Sequence, residues 1–93
     1  MDMQKTAEIL AIEALGWLAN EEDMLGVFLG ASGLSRAELR ARAGDPDLLA
    51  AVLDFLLMDD ALVLGFAAAS GRAPDSVARA RQALPGGDAP AWT

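Results

Sequence analysis

The chain has 93 residues, a length that suits one domain with its own hydrophobic core. Its formal net charge of −7 argues against non-specific binding to nucleic acid or to an anionic membrane surface. Cysteine, histidine and tyrosine are all missing, which removes disulfides, thiol nucleophiles, the commonest general base and the commonest metal ligand. We therefore expect a protein that is not an enzyme and that carries no metal or other cofactor.

Hydrophobic residues make up 54% of the chain, above the roughly 45–50% of ordinary soluble domains. Two interpretations fit this excess. The chain is either a compact alanine-rich bundle or a bundle with one apolar face left over for a partner.

The first helix is predicted over residues 3–19, with Asp2 as its N-cap. At 100° per residue one broad face collects the apolar side chains Leu10, Ala14, Leu15, Trp17 and Leu18. We interpret Trp17 as an anchor in the core. Glu8 and Glu13 interrupt the apolar residues, so we do not expect a signal peptide.

Asn20 is predicted to cap the second helix, with the acidic residues 21–23 in its first turn. Carboxylates there complement the positive end of the helix dipole. The alternative is a cation site, but three consecutive carboxylates diverge on a helix and lack the spacing of a calcium loop. Gly26 and Gly30 are predicted to allow close helix packing.

The third helix is short and is predicted to start with a capping box formed by Ser35 and Glu38. Glu38 and Arg42 have the i,i+4 spacing of a favourable ion pair. Gly44 is predicted to end this helix.

The central helix, roughly residues 46–58, begins with Asp45 as N-cap and Pro46 in the first turn. It is apolar on nearly all of its faces, and only Asp47 and Asp54 indicate a solvent-exposed side. Such a helix has to be buried by other helices on most of its faces. We expect the rest of the chain to pack around it.

Asp59 and Asp60 are predicted to form the junction to a fifth helix over residues 61–70, in which Gly65 permits a close approach. A membrane span over residues 48–69 is not expected, because these two aspartates fall in its middle.

The sixth helix is predicted to begin at Pro74 and Asp75 and to end at residues 85–87. Its inward residues are Val77, Ala80 and Leu84. Arg79 and Arg81 are expected to face outward, with Arg79 paired to Asp75. The prediction is thus an all-α compact bundle of about six short helices, with one helical domain over residues 1–87 and a C-terminal tail over residues 88–93.

Charge is segregated along the chain. Residues 31–44 carry three arginines and one glutamate, whereas residues 45–60 carry five aspartates and no cation. The candidate interaction residues are the six arginines, Arg36, Arg40, Arg42, Arg72, Arg79 and Arg81. They form either a solvated, salt-bridged surface or a surface for an acidic partner, which includes a second copy of the chain.

Residues 33–40 look like the first helix of some helix-turn-helix modules. The helix that follows would then have to read bases, and it supplies leucine and aspartate instead of arginine, asparagine or glutamine. We therefore favour a protein-interaction module, possible partners being a second copy or another protein, with a nucleic-acid-binding protein as the alternative. No membrane association and no small-molecule ligand are expected.

The run LDFLLMDD at residues 53–60, the Asp45–Pro46 helix entry and the ending Leu84-Pro85-Gly86 resemble a family of small alphaproteobacterial proteins. That family is classed as domain of unknown function 3572. The likeness spans most of the chain. It implies a bacterial cytoplasmic protein and supplies no activity, cofactor or site residue.

Overall fold

The computed structural model describes residues 2–86, which form six α-helices and no strand. The helices are α1 (Met3–Ala19), α2 (Glu22–Ser32), α3 (Arg36–Ala41), α4 (Pro46–Leu57), α5 (Asp60–Ser70) and α6 (Asp75–Gln82). The all-α bundle predicted from the sequence is confirmed. The predicted tail over residues 88–93 lies outside the described residues.

Local capping side chains fix the starts of four helices, one of which is α5, where Asp59 Oδ1 accepts the Ala61 N–H. The Gln4 N–H donates to Asp2 Oδ1 at the start of α1. At α3 the capping box is complete, because the Glu38 N–H donates to Ser35 Oγ and the Ser35 N–H donates to Glu38 Oε1. Asp45 caps α4 in the same way as Asp2 caps α1. Side-chain caps of this kind satisfy backbone N–H groups that the helix leaves without a partner.

One predicted cap is wrong. Asn20 does not cap α2, because its Nδ2 donates backwards to the Gly16 carbonyl and its backbone continues the right-handed conformation of α1. Glu21 occupies the N-cap position instead and makes no side-chain capping bond. The Asn20 side chain therefore hydrogen-bonds to the last turn of α1 and not to the first turn of α2.

The turn between α3 and α4 also differs from the prediction. Gly44 does not end α3 in a left-handed conformation, and Arg42 is the C-cap with φ of −106°. The Asp45 N–H donates to the Arg42 carbonyl at 2.9 Å, and the Arg42 guanidinium binds the Asp45 carboxylate. The predicted pair between Glu38 and Arg42 is absent within residues 2–86, since both side chains are engaged elsewhere.

Helix α4 lies at the centre of the core. It packs against α1, α5 and α6, and α1 packs in turn against α2, α5 and α6. The large side chains of α4 that are fully buried are Leu48, Leu49, Val52, Leu53 and Leu56. Each buried leucine stabilises the fold by about 1.5–3 kcal/mol. No polar or charged residue is buried within the described chain, and the predicted central helix is confirmed.

Gly65 permits a close approach, as the sequence predicts, and the structure shows that the approaching helix is α1. A Cβ atom at this position would lie 3.0 Å from Cζ2 of Trp17. The Trp17 ring packs partly buried against the core, and its centroid lies 6.1 Å from that of Phe66. The indole therefore occupies the space that a side chain at position 65 would need.

Gly26 and Gly30 do not have this role, and the prediction of close packing at these residues is wrong. A Cβ atom at either position would meet nothing within 4 Å in the described part of the chain. Both glycines face solvent on α2, while Leu25 and Phe28 form the buried side.

Candidate functional site

Arg72 joins the α5–α6 loop to α1 through a two-pronged ion pair. Its Nε donates to Glu13 Oε1 at 3.0 Å and its Nη2 donates to Glu13 Oε2 at 2.8 Å. These hydrogen bonds lower the pKa of the Glu13 carboxyl and raise the pKa of the Arg72 guanidinium. Such two-pronged pairs orient both side chains. Arg72 therefore holds the α5–α6 loop against α1 and is not free to bind a partner.

Arg81 does not face outward as predicted. Its side chain is only 19% exposed, and its Nε donates to Asp54 Oδ1 of α4 at 2.6 Å. Its Nη1 also donates to the Pro85 carbonyl at 2.9 Å. Arg81 thereby ties α6 and the following turn to the central helix.

Arg42 and Arg79 make local ion pairs. Arg42 binds Asp45 at 3.1 Å, and Arg79 reaches Asp75 at 3.4 Å as predicted. The pKa of the Asp45 carboxyl is lowered, first by the Asp47 N–H that it caps and then by Arg42. The guanidinium groups of Arg42 and Arg79 are thus each paired with a carboxylate three or four residues away in the chain.

Arg36 and Arg40 differ from the other four candidates. Neither side chain has an ion-pair or hydrogen-bond partner among residues 2–86. They are exposed and lie one turn apart on α3, so both guanidinium groups extend from the same face of that helix. The two charges are therefore available to a ligand.

These arginines border an open groove of about 480 Å³ between α1 and α3. Apart from the two arginines, its lining is apolar or glycine, namely Ile12, Leu15, Gly16, Ala19, Leu25, Leu39 and Ala43. Leu15, Leu25 and Leu39 are buried and form its floor. Ile12 is 50% exposed. The groove thus combines an accessible apolar surface with two positive charges that have no carboxylate partner in the described part of the chain.

The apolar part of this groove was not identified from the sequence, although a signal was present. Ile9 and Ile12 lie on the opposite side of α1 from the buried Leu10, Ala14 and Leu18, at about 100° per residue. Two isoleucines on an exposed helix face are a mark of an interaction surface when other apolar groups adjoin them. Only the tertiary structure shows that α3 lies beside Ile12.

A second groove, of about 290 Å³, lies between α1 and α6. Met3, Leu10 and Ala80 contribute to its apolar lining, and Arg72 and Arg79 line it as well. Both of these guanidinium groups are already paired to carboxylates. The α1–α6 groove is therefore smaller and offers no free charge for a ligand.

No group of three or more acidic side chains within residues 2–86 could hold a metal ion. Glu22 and Asp23 lie in the first turn of α2, where carboxylates complement the helix dipole. Over the same stretch of chain, no helix has both the length and the apolar character needed to cross a membrane.

Comparison with known proteins identifies one family. Residues 4–87 match the family model described as "Protein of unknown function (DUF3572)". No curated protein and no solved structure matches the chain. The match covers nearly all of the helical bundle and confirms the resemblance found in the sequence. The chain belongs to the DUF3572 family.

Proposed function

We propose that this chain is a cytoplasmic, non-enzymatic protein-interaction module that binds its partner in the groove between α1 and α3. The observation that supports this function is the apolar floor of the groove together with Arg36 and Arg40 at its edge, which have no ion-pair partner among residues 2–86. The other four candidate arginines are engaged within the fold.

The two parts of the groove have different physical roles in binding. Covering apolar surface contributes about 25 cal/mol per Å² removed from water. The guanidinium groups set the orientation of the partner and favour an acidic one, because unpaired charges discriminate strongly between complementary and like-charged surfaces. We expect the partner to present an apolar side chain with carboxylates next to it.

Nucleic-acid binding is the weaker alternative. In a helix-turn-helix arrangement α4 would enter the major groove, but most of its apolar side chains are buried in the core and its exposed residues include Asp47 and Asp54. A duplex would meet these carboxylates beside Arg36 and Arg40.

The bacterial origin and the cytoplasmic location stay predictions.

The experiment is quantitative capture of partners from the native cells by the tagged chain, with and without nuclease. We compare the wild-type chain with Arg36→Gln/Arg40→Gln and with the matched control Lys5→Gln/Arg79→Gln. Both double variants lose two positive charges from exposed positions, but only the first changes the groove. We expect the wild-type chain to capture one protein partner in stoichiometric amount, whether or not nuclease is added. The control variant should capture the same partner, and the groove variant should not.

Equal capture by the groove variant and the control would show that this groove is not the binding site. Recovery of nucleic acid at low salt and its loss at high salt would favour the nucleic-acid alternative instead.

A further inference from the structure

We infer that the occupant of the α1–α3 groove is a second copy of this chain, which inserts the corner between α4 and α5. This inference rests on the proposed function and names its partner. The acidic corner consists of Leu57, Met58, Asp60 and Leu64, together with the capping residue Asp59.

The acidic corner presents the most exposed large apolar side chain of the described chain. Met58 is 84% exposed at the end of α4. Leu64 is 57% exposed and lies one turn after Asp60 on the same face of α5. A flexible methionine with leucine beside it is well suited to fill an irregular apolar groove.

The charges of the corner complement those of the groove. Asp59 caps α5 by accepting the Ala61 N–H, and the neighbouring Asp60 carboxylate makes no hydrogen bond or ion pair within residues 2–86. The groove supplies Arg36 and Arg40, which also lack partners there. Docking the corner into the groove would pair these charges and cover the exposed apolar groups in one contact.

A single molecule cannot make this contact with itself. Helix α4 starts directly after the α3–α4 turn, and its 12 residues separate that turn from the acidic corner by about 18 Å. The groove of one molecule therefore receives the corner of another. Two copies can exchange this contact reciprocally around a two-fold axis, or copies can add head to tail.

The experiment is sedimentation velocity of the full chain over a concentration series up to about 1 mM, where even weak association is populated. Four proteins are compared. They are the wild-type chain, a groove variant (Arg36→Glu/Arg40→Glu), a corner variant (Met58→Ser/Asp60→Asn) and a control (Met3→Ser/Asp75→Asn). The control removes the same two side-chain types from exposed positions outside the groove and the corner.

We expect the groove variant and the corner variant each to associate at least about tenfold more weakly than wild type, as for removal of interface hot spots. The control should associate like wild type. A mixture of the two interface variants retains one intact groove and one intact corner, so it should form a dimer of one copy of each and nothing larger.

A corner variant that associates like wild type, or a mixture that stays monomeric, would overturn the inference. So would a wild-type chain that is monomeric throughout the series. In each of these cases the groove can still bind a different protein, which the capture experiment tests separately.

Discussion

Replacing Gly65 by alanine tests how closely α1 and α5 pack. In an exposed helix interior, glycine to alanine raises the free energy of unfolding by about 0.5–1 kcal/mol. At position 65 the new Cβ would lie 3.0 Å from Trp17 Cζ2 and 3.4 Å from Cη2. Ordinary contacts between carbon atoms are about 3.5–4.0 Å. The indole would have to shift against Phe66 and the core.

The expected magnitude follows from these two opposing effects. Overpacking of a packed region costs about 1–3 kcal/mol, which exceeds the gain in helix propensity. We therefore expect Gly65→Ala to lower the free energy of unfolding by about 1 kcal/mol and the Tm by about 4–8 °C. The matched control Gly26→Ala should raise stability, because its Cβ would meet nothing within 4 Å.

The assay is urea unfolding followed by circular dichroism at the helical band. A third variant, Trp17→Phe, removes Cζ2 and Cη2 of the indole, so Gly65→Ala should cost less in that background than in wild type. If Gly65→Ala were as stabilising as Gly26→Ala, the packing described between Trp17 and position 65 would be refuted.

Three further predictions concern the core, a charge pair and a cap. Leu53→Ala should destabilise the fold by about 2–5 kcal/mol in urea unfolding, because Leu53 is fully buried. The control Leu64→Ala, on the exposed face of α5, should change the free energy of unfolding little. Similar losses for the two variants would contradict the central position of α4. Glu13→Gln should cost about 0.5 kcal/mol near pH 7, as for a partly exposed ion pair. Because the pKa of the Glu13 carboxyl is lowered in the folded state, this difference should begin to shrink as the pH falls below about 4.3, the pKa of an unperturbed glutamate, and should vanish only once the pH is below the folded pKa. A difference independent of pH would refute the role of the charge. Ser35→Ala removes half of a capping box and should cost about 1 kcal/mol in thermal unfolding, whereas Ser70→Ala, which caps no helix start, should cost less.

The helices could be predicted from the sequence because most of their signals are local. Asp45 and Pro46 act within one turn of each other, and the capping box of Ser35 and Glu38 spans three residues. The continuous apolar character of residues 46–58 was sufficient to identify the central helix. Asn20 was misassigned because it lies between two helix ends and could serve either.

The candidate site could be predicted only in part, because its geometry is not local. The sequence identified the six arginines but could not separate Arg36 and Arg40 from the four that are paired. Arg72 and Glu13 lie 59 positions apart, and Arg81 and Asp54 lie 27 apart. No periodicity connects such residues, and the same is true of Ile12 and the surface of α3.

Self-association through the α1–α3 groove is tested most directly by NMR chemical shifts of the ¹⁵N-labelled chain during dilution. We expect concentration-dependent shifts at the groove, including Ile12, Arg36 and Arg40, and at the acidic corner around Met58. The exposed face of α2 at Val27 is an internal control, since it is as exposed as Ile12 but lies outside the groove. Shifts centred on Val27 or on the α1–α6 groove, or none at any concentration, would contradict self-association through the α1–α3 groove.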